Sequence, residues 1–115
     1  MESSPAAISA AQDEAVRHRA HIESVQARIS PDQPRTATVT IHGLLHDGAT
    51  RIHKIEQKTE GGEVIVTVST ARARYAIASV ALIPFERTIN VDLSGLPSGP
   101  CRLRVNNVTA TFTVP

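Results

Sequence analysis

Aromatic residues are almost missing: Tyr75, Phe85 and Phe112 are the only rings in 115 residues, and there is no tryptophan. Three scattered rings cannot form the stacking platform on which nucleic-acid bases are held. Any core must be built from Val, Ile, Leu and Ala. Cysteine is limited to Cys101, which excludes an internal disulfide. No apolar run approaches the roughly 20 residues needed to span a bilayer. The start, Met1-Glu2-Ser3-Ser4-Pro5, lacks a basic region followed by an apolar stretch, so no signal peptide is expected in this chain. That leaves a cytosolic protein, or a mature domain whose leader is replaced by a start Met. An excess of one charge is also missing, because 12 Lys and Arg face 11 Asp and Glu, for a net charge of +1. A strongly basic nucleic-acid footprint is therefore not expected.

What the chain does have is alternation. Ile89, Val91 and Leu93 share one parity, Gly95 to Pro100 turns the chain, and Cys101, Leu103 and Val105 resume it. Asn106-Asn107 turns it again before Val108, Ala110, Phe112 and Val114. Period-2 patterning bounded by turn residues marks strands with one buried face. Further strands are expected over 22–29, 36–44, 50–59, 63–71 and 82–93. Pro84 must interrupt the last of these or place it at an edge. Ile52 and Ile55 differ in parity, which calls for a bulge in the third strand. Asp47-Gly48 is expected to turn with positive φ, and 72–80 reads as a crossing loop or short irregular strand. The fold class that follows is all-β, an Ig-like antiparallel Greek-key sandwich of about seven strands over 22–115. Residues 1–21 are alanine-rich and read as an N-terminal arm or linker that is flexible, helical or docked on a neighbour.

Candidate chemistry is thin. His42, His46 and His53 flank the Asp47 turn and could meet that carboxylate as metal ligands, yet no ligand motif is present. His18 and His21 would share a face on a helix. Cys101 lies on the apolar parity and reads as a buried, inert thiol. Glu56 with Glu60, or Glu63 with Glu86, could be read as acid–base pairs, but without an aromatic-lined cleft. Arg72 with Arg74, and Arg102 with Arg104, sit at i, i+2 and read as solvated outer faces. Asn107-Val108-Thr109 matches an N-glycosylation acceptor, though a tight hairpin explains its asparagines better. No catalytic residue and no cofactor is expected, and the chain reads as no enzyme.

Four strings carry a resemblance: 43–52 (GLLHDGATRI), 81–86 (ALIPFE), 93–99 (LSGLPSG) and 105–112 (VNNVTATF). In order and spacing they resemble a group of small exported, lipoprotein-like bacterial domains with the pattern G-x-L-P-D-x-C-T-x-I, A-L-x-P-F-E, L-x-G-L-x-A-G-x-Y-x-V-x-V-N-G-V. The resemblance implies an Ig-like sandwich without assigned catalysis, in an extracytoplasmic setting (secreted or cell surface). The family's two cysteines fall on Ala49 and Ala78, where relatives look to carry a disulfide. Losing such a bridge costs about 2–5 kcal/mol, so the core or an assembly partner must compensate. The family's tyrosine falls on Cys101.

The expected function is a non-catalytic extracytoplasmic structural or adhesive module. Its more specific version is a self-assembling subunit that uses the N-terminal arm, with protein partners, another copy among them, and no nucleic acid. The alternative is a binding module, a secreted-hydrolase inhibitor or carbohydrate binder, acting through loops 30–34 and 72–80.

Overall fold

A computed structural model describes residues 15–30, 35–74, 76–77 and 80–115. Eight strands are formed there: β1 (Ala15–Arg19), β2 (His21–Ile29), β3 (Thr36–Asp47), β4 (Arg51–Glu60), β5 (Glu63–Ala73), β6 (Val80–Asp92), β7 (Gly99–Val105) and β8 (Val108–Val114). They make two sheets. One has three strands in the order β2-β3-β6; the other has five, β1-β5-β7-β8 with β4 also on β5. No helix among the described residues is long and apolar enough to cross a membrane.

The expected β-sandwich is present, and the alternation sets its faces. Ala37, Val39 and Ile41 of β3 are buried, as are Val64, Val66 and Val68 of β5 and Cys101, Leu103 and Val105 of β7. They form one core with Ile22, Phe85, Val91 and Val114. Each fully buried aliphatic side chain contributes about 1.5–3 kcal/mol, so this layer, not ring stacking, holds the two sheets together. The bulge called for between Ile52 and Ile55 lies between Ile52 and Lys54.

Three features differ from the sequence reading. Ala15–Arg19, placed in the arm, is a strand antiparallel to β5, from Ala15 opposite Ala73 to Arg19 opposite Ser69. The sandwich therefore starts at Ala15 among the described residues, and 1–14 of the expected arm lie outside them. This short stretch has almost no apolar face, so only its backbone pairing with β5 reveals it as a strand. Next, β5 and β7 run parallel, from Glu63 opposite Arg102 to Val66 opposite Val105, whereas every other pairing is antiparallel. Last, the Asp47-Gly48 turn is a corner between sheets, because β3 and β4 belong to different ones. Positive φ falls at Asn106, Gly61, Gly62 and Gly99, and not at Gly48.

Asn106 explains how β1 and β7 share one edge of β5 while β4 occupies the other. At φ 54 it closes the β7–β8 turn, and its N–H donates to Val66 O at 3.0 Å. Its side-chain Nδ2 donates to Ala20 O at 2.7 Å and Val68 O at 3.1 Å, while Oδ1 accepts from Val68 N–H at 2.9 Å. One amide thus completes the ladder across the gap between two collinear strands. Such buried backbone groups need partners.

Candidate functional site

The corner after β3 gathers the residues singled out as metal ligands, and the structure separates them. The Asp47 carboxylate is engaged on both oxygens. Oδ1 accepts from the Thr50 hydroxyl at 2.7 Å and the Ala49 N–H at 3.0 Å. Oδ2 meets Arg72 Nε at 2.8 Å. The Thr50 hydroxyl above all, with Arg72 and the Ala49 N–H, holds this carboxyl below the usual carboxylate range against the opposing effect of desolvation. Its role is to tie the corner to β5. Arg72, read as half of a solvated pair, is the half-buried partner here, and it also donates to Ala76 O at 2.9 Å.

His42 lies on the outer face of the three-stranded sheet, its Nδ1 4.0 Å from Glu86 Oε1 across the β3–β6 pair. His53 sits exposed at the β4 bulge on the other sheet. His46 shares a shallow depression with His21, Arg19 and Asn107. His18 is on β1 and His21 on β2, in different sheets, so the shared helical face is replaced by two separate strands. No cluster of three His, Cys, Asp or Glu side chains able to hold a metal exists among the described residues.

The carboxylate pairs also come apart. Glu63 and Glu86 belong to opposite sheets. Glu56 and Glu60 are matched by neighbours on their own strand, Lys54 at 3.2 Å and Lys58 at 3.6 Å. Cys101 is buried, with Sγ 3.4 Å from Gly62 O. Burial, with the nearby Glu63 charge, pushes its thiol above the ordinary value despite a backbone hydrogen bond that works the other way. A thiol held protonated is a poor nucleophile. Of the disulfide positions of the resembled family, Ala49 sits in the Asp47 corner and Ala78 lies outside the described residues. Of the loops 30–34 and 72–80 on which the loop-binding alternative rests, 31–34, Tyr75 and Ser79 also lie outside the described residues, while Arg72 and Ala73 end β5 and Val80 begins β6.

What remains as a candidate is a surface. Among the described residues β6 is an edge strand that pairs with β3 alone. At its start Val80 is 92% exposed and Leu82 64%, next to Ile83 and, just before the strand, Ile77 at 99%. Sequence reasoning placed Pro84 at an edge but did not find this patch. Its signal was there in the apolar run 80–83, which lacks the polar alternation of a half-buried strand. Arg35 was also missed: its guanidinium donates to Leu93 O and Leu96 O, both at 2.9 Å, and pins the β6–β7 crossover.

Comparisons with known proteins agree with this architecture. The chain is 31% identical over 87 residues to an uncharacterized 10.2 kDa protein in the HgiCIIM 5' region of Herpetosiphon aurantiacus, covering 76% of this chain and 92% of that one. It is 36% identical over 75 residues to a similar protein in the HgiBIM 5' region of the same organism, covering 65% and 90%. No solved structure matches. The sequence model described as the ORF11 beta-sandwich domain matches residues 39–114. With most of β3 and all of β4 through β8 inside that match, and most of the two-sheet core built from them, the chain belongs to the ORF11 beta-sandwich domain family.

Proposed function

We propose that this chain is a non-catalytic structural module that works by self-association outside the cytoplasm, through the free edge of β6. The observation that carries this reading is the exposed apolar start of that strand, Val80 and Leu82. Sheet edges are normally blunted by charge, proline or cover. Here Pro84 blunts the middle of the edge, and the residues before it are left apolar. A second copy fits this edge in a two-fold, antiparallel pairing centred on Leu82, which sets Leu82 against Leu82 of the second copy and Val80 opposite Pro84. Pro84 lacks an N–H, so the added ladder ends there and closes as a dimer instead of propagating. A patch of this size lies below the ~1,200 Å² of stable complexes, so the association is weak and concentration-dependent.

The arm contributes differently from the sequence reading, since Ala15–Arg19 is already paired within its own sheet. The setting outside the cytoplasm is supported by the resemblance to exported domains, and the non-catalytic reading by the engaged state of Asp47 and the protonated Cys101. Sedimentation velocity across a concentration series tests the proposal. The expected result is a monomer–dimer equilibrium that Leu82→Lys shifts to monomer and that deletion of residues 1–14 leaves unchanged. A monomer at every concentration, or a dimer indifferent to Leu82→Lys, overturns it.

A further inference from the structure

Sheet topology assembles a charged feature that the net charge conceals. β1 and β7 lie end to end along one edge of β5, with Arg17 opposite Ala71, Arg19 opposite Ser69, Arg104 opposite Ile65 and Arg102 opposite Glu63. Because Val64, Val66 and Val68 point inward, the registers at Glu63, Ile65 and Ser69 belong to the outer face; Ala71 has the same parity but is itself buried, and Arg17 opposite it is exposed. Two i, i+2 pairs that are 83 positions apart in sequence thus form one straight row of four exposed arginines. At about 3.3 Å per residue the row spans roughly 27 Å, with about 6.7 Å between the members of each pair. Across β5, Lys54 stands opposite Ser69 and Lys58 opposite Ile65, each paired with a glutamate of its own strand, so that this second line is electrically neutral. Between the two lines the half-buried Ile65, Thr67 and Ser69 form a low floor.

The acids on this face are already matched: Glu56 to Lys54, Glu60 to Lys58, and Glu63 to Arg104 at 3.5 Å. Arg17, Arg19 and Arg102 make no ion pair among the described residues and leave the face with a surplus of positive charge. The outer face of the other sheet carries Arg28 against Glu86 and Asp92, so the molecule is electrically two-sided. Within each pair the arginines stand about 6.7 Å apart, inside the ~10 Å screening length at 0.1 M salt, and the two pairs are separated by about 13 Å. The fields within each pair therefore add despite a whole-chain charge of +1.

We infer that the outer face of the five-stranded sheet binds single-stranded nucleic acid through its sugar–phosphate backbone, without reading sequence. Guanidinium groups engage phosphate in bidentate fashion. A straight row suits an extended strand, unstacked to about twice the 3.4 Å rise per phosphate of a duplex strand, whereas a duplex winds away from a row this long. The floor carries no ring on which bases could stack, so binding is electrostatic and strongly salt-dependent. This proposal is independent of self-association, which uses the edge of the opposite sheet.

Fluorescence anisotropy with labelled oligo(dT) of 20 nucleotides tests it on the full chain. The three unpaired arginines, each on a phosphate, give a log–log salt slope of about −2.1, so affinity falls about 18-fold between 50 and 200 mM NaCl. Arg19→Gln and Arg102→Gln each remove about 0.7 from that slope. Arg28→Gln, which changes net charge equally on the other sheet, leaves it unchanged. The substituted arginines are exposed and unpaired, and superimposable thermal melts confirm that the variants fold. The inference is overturned by no binding of oligo(dT) at 50 mM NaCl, by an equal loss in Arg28→Gln, or by tighter binding of a 20-bp duplex or heparin than of the single strand.

Discussion

Replacing Asn106 tests the claim that one side chain joins β1 and β7 across the edge of β5. Asn106→Ala removes three hydrogen bonds, two donated by Nδ2 and one accepted by Oδ1. At about 0.5–1.5 kcal/mol net each, that is roughly 1.5–4.5 kcal/mol. Alanine must also hold φ 54, a left-handed conformation that costs about 1–2 kcal/mol without glycine or asparagine. The expected loss is about 2.5–6.5 kcal/mol, a large part of the ~5–15 kcal/mol that stabilises a domain. Asn106→Gly keeps the backbone freedom and loses only the side chain, so it should fall about 1–2 kcal/mol less far. Urea unfolding followed by far-UV circular dichroism measures both variants. Hydrogen exchange should also show the Val68 amide losing protection before the stretch 63–66 of β5 that is paired with β7. An Asn106→Ala variant within 0.5 kcal/mol of the parent (~0.5 being the spread of neutral surface changes), or equal losses in the alanine and glycine variants, refutes the reasoning.

Three further outcomes are expected. A Cβ on Gly43 would meet the His21 carbonyl oxygen and come within 2.5 Å of the Phe85 ring, so Gly43→Ala should lower stability by about 1–3 kcal/mol through overpacking, read as a lower urea midpoint at unchanged slope. Asp47 has a carboxyl pKa below its unfolded value; its contribution is thus fully present above the unfolded value near 4 and is lost as pH falls through the folded one. Thermal melts from pH 6 down to pH 2 should therefore show a shallower acid decline in Asp47→Asn than in the parent, and identical slopes would refute the Asp47–Arg72 tie. Cys101, buried and with its thiol pushed up, should react with a thiol reagent only on unfolding. Immediate labelling of the native protein at neutral pH would contradict its placement in the core.

The legible parts of this protein are local. Strand positions 22–29, 36–44 and 63–71 could be read because a pleated strand with one wet face forces a period of two on Ala37, Val39 and Ile41 or Val64, Val66 and Val68. The Ile52–Ile55 bulge was readable as a break in that period, and Cys101 as a core residue from its parity. β1 was not readable, because Ala15–Arg19 has almost no apolar face beyond Val16 and owes its conformation to the edge of β5. The candidate metal residues failed for a related reason: proximity in sequence around Asp47 says nothing about which sheet each neighbour joins once the chain turns the corner.

Alternation by itself therefore determined that this chain folds as a β-sandwich and which side of each strand lies inside. Tertiary structure alone decided which strands became neighbours. Strand order depends on long-range packing and backbone pairing that leave no periodic trace. It is the order β1-β5-β7 that lays Arg17 and Arg19 in line with Arg104 and Arg102, and the pairing of β6 with β3 alone among the described residues that leaves its apolar start at an open edge. The arginine row and the open edge are both products of strand order.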